Sequence, residues 1–111
     1  AVASIDNDDM ESLREELGFS VTDLSDAMRG ELQLRDDVNG VVVDEIDQTS
    51  MAYRQGLRNG DVITVISGER IENTRQFYDS MISFRDSDEE VLLLKIIRQG
   101  RNIYVAFELV S

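Results

Sequence analysis

The sequence predicts a single α+β domain, mostly β. The expected form is a small, partly open barrel or sandwich of about five to six strands, its openings filled by about two to three helices. Three observations lead there. The chain has 111 residues, which is one domain's worth with no room for a second core. Its longest apolar runs, Val41-Val42-Val43 and Val91-Leu92-Leu93-Leu94, are strand-sized. Turn chemistry recurs at short intervals, at Asn39-Gly40, Asn59-Gly60-Asp61, Ser67-Gly68 and Gln99-Gly100.

Residues 1–12 are polar and acidic without sustained periodicity, and read as a linker or tail. Met10, Leu13 and Leu17 have the spacing of a short helical turn, and the folded domain is expected to run from Leu13 to Ser111. In Leu17–Leu24, apolar Phe19 and Val21 alternate with polar Ser20 and Thr22, the pattern of a half-buried strand. Ser25 is placed to cap a short helix through Glu31, with Ala27 and Met28 inward. Gly40–Asp47 is a β-branched strand. Thr49 or Ser50 caps a short helix over Met51–Gln55, which Gly56 ends because that position favours a positive φ.

Val62–Ile66 is the next strand, with a turn at Ser67-Gly68-Glu69 and a short return at Arg70-Ile71. Asn73 and Gln76 resemble a capping box for a helix running to about Phe84. Its apolar residues fall in two adjoining stripes, Phe77, Met81 and Phe84 in one and Thr74, Tyr78 and Met81 in the other, with Ile82 beside the second. The second stripe either borders a groove or widens the core face. Asp86–Glu90 reads as a solvated loop. Val91–Arg98 and Asn102–Val110 form a hairpin around Gln99-Gly100-Arg101.

Composition excludes much chemistry. There is no cysteine and no histidine, so disulfides, Cys/His zinc sites, c-type haem and Fe–S clusters are out, as are Ser-His-Asp and Cys-His catalytic arrangements within the chain. The formal charge is −12, which repels phosphate backbones and anionic lipid headgroups; nucleic acid and direct membrane insertion are not expected as partners. No apolar run approaches the roughly 20 residues of a membrane span. With no start methionine or signal peptide, the chain reads as a piece of something longer.

Three segments, in order, resemble a PDZ domain of the bacterial HtrA/Deg type. Glu16-Leu17-Gly18-Phe19 is similar to that family's carboxylate-binding loop. Asn39–Val43 followed by Ser50–Ile63 is similar to its "GVVV … SPA…AGL..GDVI" pattern, and Asn73–Ile82 followed by Val91–Gly100 to its groove helix and the next strand. The resemblance covers about residues 13–110. Met51 stands where the family usually has proline, and Glu16 where the loop's first glycine usually sits.

The resemblance implies a peptide-binding module that recognises extended, apolar C-terminal tails by strand addition. Backbone N–H groups of Leu17, Gly18 and Phe19 would hold the terminal carboxylate. Ser20, Val21, Thr74, Tyr78, Met81 and Ile82 would form the groove, and Leu17, Phe19, Val21, Tyr78 and Met81 the pocket for the last side chain. It also implies a parent trypsin-like serine protease in the bacterial periplasm or envelope, engaged in protein quality control. The partners implied are tails of unfolded proteins, the parent's own protease domain and other subunits. The end of the chain resembles a C-terminal, second PDZ domain.

An alternative implied role is an assembly module with a weak or occluded groove, which Glu16 raises, since its carboxylate would lie close to any bound anion. A PDZ domain of a non-protease envelope scaffold is a third. The fragment itself is expected to be non-catalytic, without cofactor or metal. Asp6–Met10 lacks the third ligand, glycine and closing glutamate of a calcium loop, and Asp86–Glu90 lacks the glycine and is followed by Val91.

Overall fold

A computed structural model describes residues 11, 14–35 and 37–108; the side chain of residue 108 is not described. The expected tail, all but residue 11, lies outside the described residues, as do Met10, Leu13 and the last three residues. Residues 14–17 are helical. The chain then runs β1 (Phe19–Asp23), α1 (Asp26–Glu31), β2 (Val41–Ile46), α2 (Met51–Arg54), β3 (Val62–Ile66), β4 (Glu69–Arg70), α3 (Thr74–Arg85), β5 (Val91–Arg98) and β6 (Arg101–Glu108).

The strands form one antiparallel sheet in the order β1-β2-β3-β5-β6, with β4 returning on β3. The sheet is not closed, so β1 and β6 are its edges. Alternation divides the side chains between two faces. Val41, Val43, Ile63, Leu92, Leu94 and Ile96 join Phe77, Tyr78, Met81 and Phe84 of α3 in the main core. Val42 and Val62 point the other way, into a smaller cluster with Leu24, covered by Met28, Leu32, Leu34, Val38 and Ile97. Over this cluster α1 packs only lightly: Met28 is half-buried, whereas Ala27, expected inward, is exposed. A helix of six residues crossing a small apolar patch has no second inward position to fill.

The caps sit where the side chains suggest. Ser25 accepts from the Met28 N–H, Ser50 from the Tyr53 N–H and Asn73 from the Gln76 N–H. Gln76 reaches back to the Glu72 N–H at 2.7 Å, one residue before the cap. Both hairpin turns are shorter than expected. Ser67 and Gly68 take φ of 47° and 86°, and Gln99 and Gly100 take 51° and 77°. Two successive positive φ values give a two-residue turn whose twist matches that of the strands. Glu69 and Arg101 therefore enter the ladder, paired with Ile66 and Arg98.

One buried charge braces the sheet. Asp61 is 1% exposed and takes a two-pronged bond from Arg98, at 2.7 Å (Nε to Oδ1) and 2.6 Å (Nη2 to Oδ2). The Arg58 N–H donates to Asp61 Oδ2 at 2.8 Å, and Arg98 also donates to the Gly56 carbonyl. The bond to Asp61 holds the Arg98 guanidinium above its ordinary pKa. This fastens the loop after α2 to the end of β5.

Candidate functional site

Strand β1 is an edge, and α3 runs beside its free side. An edge strand presents backbone groups to whatever lies alongside, and here that is α3. The Val21 N–H points away from β2 and donates to Tyr78 Oη at 3.4 Å. At the far end of the strand, Asp23 Oδ1 accepts the Thr74 N–H, the first of α3, at 2.8 Å. At the near end, Glu16 lies 3.8 Å from Arg85 in the last turn of α3. That last pair is solvent-exposed and contributes little. Strand and helix are thus joined at both ends and in the middle.

The side chains between them are packed. Leu17, Phe19, Val21, Tyr78 and Met81 are all buried in the main core, at 1%, 3%, 7%, 1% and 0% exposure. Phe19 meets Phe77 and Phe107 edge-on, with centroids 5.8 and 6.0 Å apart. The second stripe of α3 therefore widens its core face in this state, with Ile82 half-buried at the margin. Thr74 is half-buried at the helix start. Ser20 faces away from this seam: it lines an open cleft of about 460 Å³ with Arg14, Glu15, Gly18, Glu45 and Asp47.

The loop before β1 differs from the anion nest the sequence suggests. Gly18 has φ +79°, but its N–H donates to the Arg14 carbonyl at 2.8 Å, closing the helical turn. Its carbonyl accepts from the Asp47 N–H at 2.8 Å. The close approach that demands glycine comes from within the domain: a Cβ at this position would lie 2.2 Å from Ser50 Cβ. Arg14 is exposed, yet it reaches across to α3. Its Nε lies 3.4 Å from Tyr78 Oη and its guanidinium carbon 5.9 Å from the ring centroid. The hydrogen bond to Tyr78 holds the Arg14 guanidinium above its ordinary pKa.

Sequence reasoning placed the right elements side by side and missed Asp23, Arg85 and the contact of Arg14 with Tyr78. Asp23 and Thr74 are 51 residues apart, and no local signal connects them. Among the described residues no helix is long and apolar enough to cross a membrane.

The family model of the PDZ domain matches residues 4–97. The HtrA-like serine protease of Staphylococcus aureus strain USA300 is 40% identical over 63 residues, 57% of this chain and 8% of that protein. The counterpart from the bovine strain RF122 / ET3-1 is 38% identical over the same extent. The match thus spans a small part of the length of these relatives. Among solved structures, the HtrA3 PDZ domain bound to a phage-derived ligand (FGRWV) has a TM-score of 0.68 at 18% identity, covering 83% of this chain and 81% of that one. The HtrA-type protease AlgW with a decapeptide has a TM-score of 0.68 at 25% identity, covering 83% of this chain and 27% of that one. With the open six-stranded sheet and the helix beside its β1 edge, the match over residues 4–97 establishes that this chain belongs to the PDZ domain family.

Proposed function

We propose that this PDZ domain binds extended, apolar C-terminal protein tails by adding them as a strand to β1. In the parent protein it would regulate or feed an HtrA-type serine protease of the bacterial envelope. The observation that carries the reading is the Val21 N–H, which faces α3 from a strand edge with no strand beyond it. A peptide backbone entering between β1 and α3 would extend the sheet by one strand. Its carboxylate would lie at Leu17, Gly18 and Phe19, where the Gly18 N–H would exchange the Arg14 carbonyl for it, and its side chains would lie beside Val21, Thr74, Tyr78, Met81 and Ile82. The peptide-bound HtrA3 PDZ domain and AlgW support peptide as the partner.

The test is an NMR titration with FGRWV, first as the free acid and then as the C-terminal amide. Shifts at residues 17–21 and 74–82 with the acid, lost with the amide, are expected. Silence at millimolar acid would overturn the reading. It would favour assembly instead, a role supported by the burial of Tyr78 and Met81; self-association measured by sedimentation would then decide.

Charge supplies a preference within this reading. The domain carries −12, and Asp23 ends β1 on the side where the residues upstream of the carboxylate would lie. Peptides with an upstream Lys are expected to bind more tightly than those with Glu, by a margin that narrows as salt rises. Equal affinities at low salt would sink the preference.

A further inference from the structure

We infer that the Tyr78 hydroxyl gates the groove: in the free domain it occupies the backbone donor that an incoming strand needs. The inference rests on the strand-addition reading above. The Val21 N–H donates to Tyr78 Oη. A strand laid along β1 would offer a main-chain carbonyl to that same N–H. One N–H makes one well-directed bond, so the phenol and the ligand carbonyl compete for it.

The gate is light. Both bonds to the hydroxyl, from Val21 and from Arg14, are 3.4 Å long, beyond the usual span of about 2.7–3.2 Å. They are long enough to exchange readily for a better acceptor, yet they keep a buried N–H from being left without any partner. The ring itself is anchored. Tyr78 is 1% exposed and meets Phe77 edge-on, centroids 5.1 Å apart at 81°. The ring packs in the core and the oxygen alone meets the Val21 N–H, so a change confined to the oxygen leaves the packing in place. At the end of the seam, the bond between Asp23 and the Thr74 N–H keeps α3 at a fixed distance from β1 while the middle opens.

Tyr78→Phe removes the gate and keeps the packing. In the free variant the Val21 N–H loses its acceptor, whereas in the complex the ligand carbonyl takes it. FGRWV is therefore expected to bind Tyr78→Phe more tightly than the wild type, by about three- to tenfold. In the free proteins, amide hydrogen exchange at Val21 should be faster in the variant, while the amides of β5 and β6 keep their protection.

The outcomes separate. Tighter binding with faster Val21 exchange supports the gate, as does binding by the variant alone. Equal or weaker binding by the variant overturns the gate and leaves the groove standing, with the hydroxyl then a ligand contact or a bystander. Unchanged Val21 exchange overturns it as well. Silence from both proteins overturns strand addition itself, and the gate with it.

Discussion

Replacing Arg98 with methionine is expected to lower folding stability by about 3–5 kcal/mol, a large share of the 5–15 kcal/mol that holds an ordinary domain. The reason lies in which partner is stranded. Asp61 has a side chain 2% exposed, so without Arg98 a carboxylate remains in the interior with only the Arg58 N–H as a strong donor. The Gly56 carbonyl loses its donor too. Removing the other partner should cost less. In Asp61→Ala the stranded group is Arg98, whose side chain is 33% exposed and still reaches water. Its loss is expected to be about 2–3 kcal/mol, below that of Arg98→Met. The double variant should lose less than the sum of the two single losses. Urea unfolding of the four proteins measures this; losses near zero would show that the pair behaves as a surface contact, and equal losses that Arg98 is stranded as badly as Asp61.

Gly18→Ala carries the second large effect, about 2–5 kcal/mol, from two sources. A left-handed backbone costs a residue with a Cβ about 1–2 kcal/mol. The new Cβ would also lie 2.2 Å from Ser50 Cβ, and Ser50 cannot easily yield because it caps α2 and donates to the Asp47 carbonyl. Overpacking of this kind costs about 1–3 kcal/mol. Gly100→Ala isolates the first source, since Gly100 has φ +77° and no atom within 4 Å of the added carbon. The difference between the two variants in the same unfolding experiment is the cost of the close approach. If they lose the same amount, Ser50 is moving aside. This bears on any binding assay: weaker peptide capture by a Gly18 variant would report a distorted loop before it reported a lost carboxylate contact.

Local chemistry made much of the fold legible. Ser25, Ser50 and Asn73 are short polar side chains just ahead of apolar periodicity, and each caps a helix. Strands β3 and β5 take the bounds their apolar runs suggest, Val62–Ile66 and Val91–Arg98. The sequence makes each hairpin turn look one residue longer than it is, because a positive φ at Ser67 or Gln99, unlike one at glycine, leaves no mark in composition. Asp61 read as a turn residue, and its burial depends on Arg98, 37 positions away. The site divides in the same way. Periodicity put Tyr78 and Met81 on a second stripe, and the family resemblance implied that this stripe faces β1, but hydrophobicity is the same for a side chain lining a slot as for one filling it. Whether the seam is open depends on a few ångströms between two elements far apart in sequence.

The pairing of β1 with β2 has a step in it: Ser20 faces Glu45 but Val21 faces Val43, so Asp44 is an extra residue. Such a bulge bends and twists the local ladder. An edge strand that welcomes a tail is also a template for any extended segment, including the edge of a second molecule. Here the regular part of that template is short. It has five residues, is bent in the middle and ends on a carboxylate at Asp23. A long straight strand finds nothing to match beyond the bend, whereas a tail of a few residues does. Discrimination between a wanted tail and runaway stacking thus resides in how little straight edge the domain offers, before any side chain is consulted.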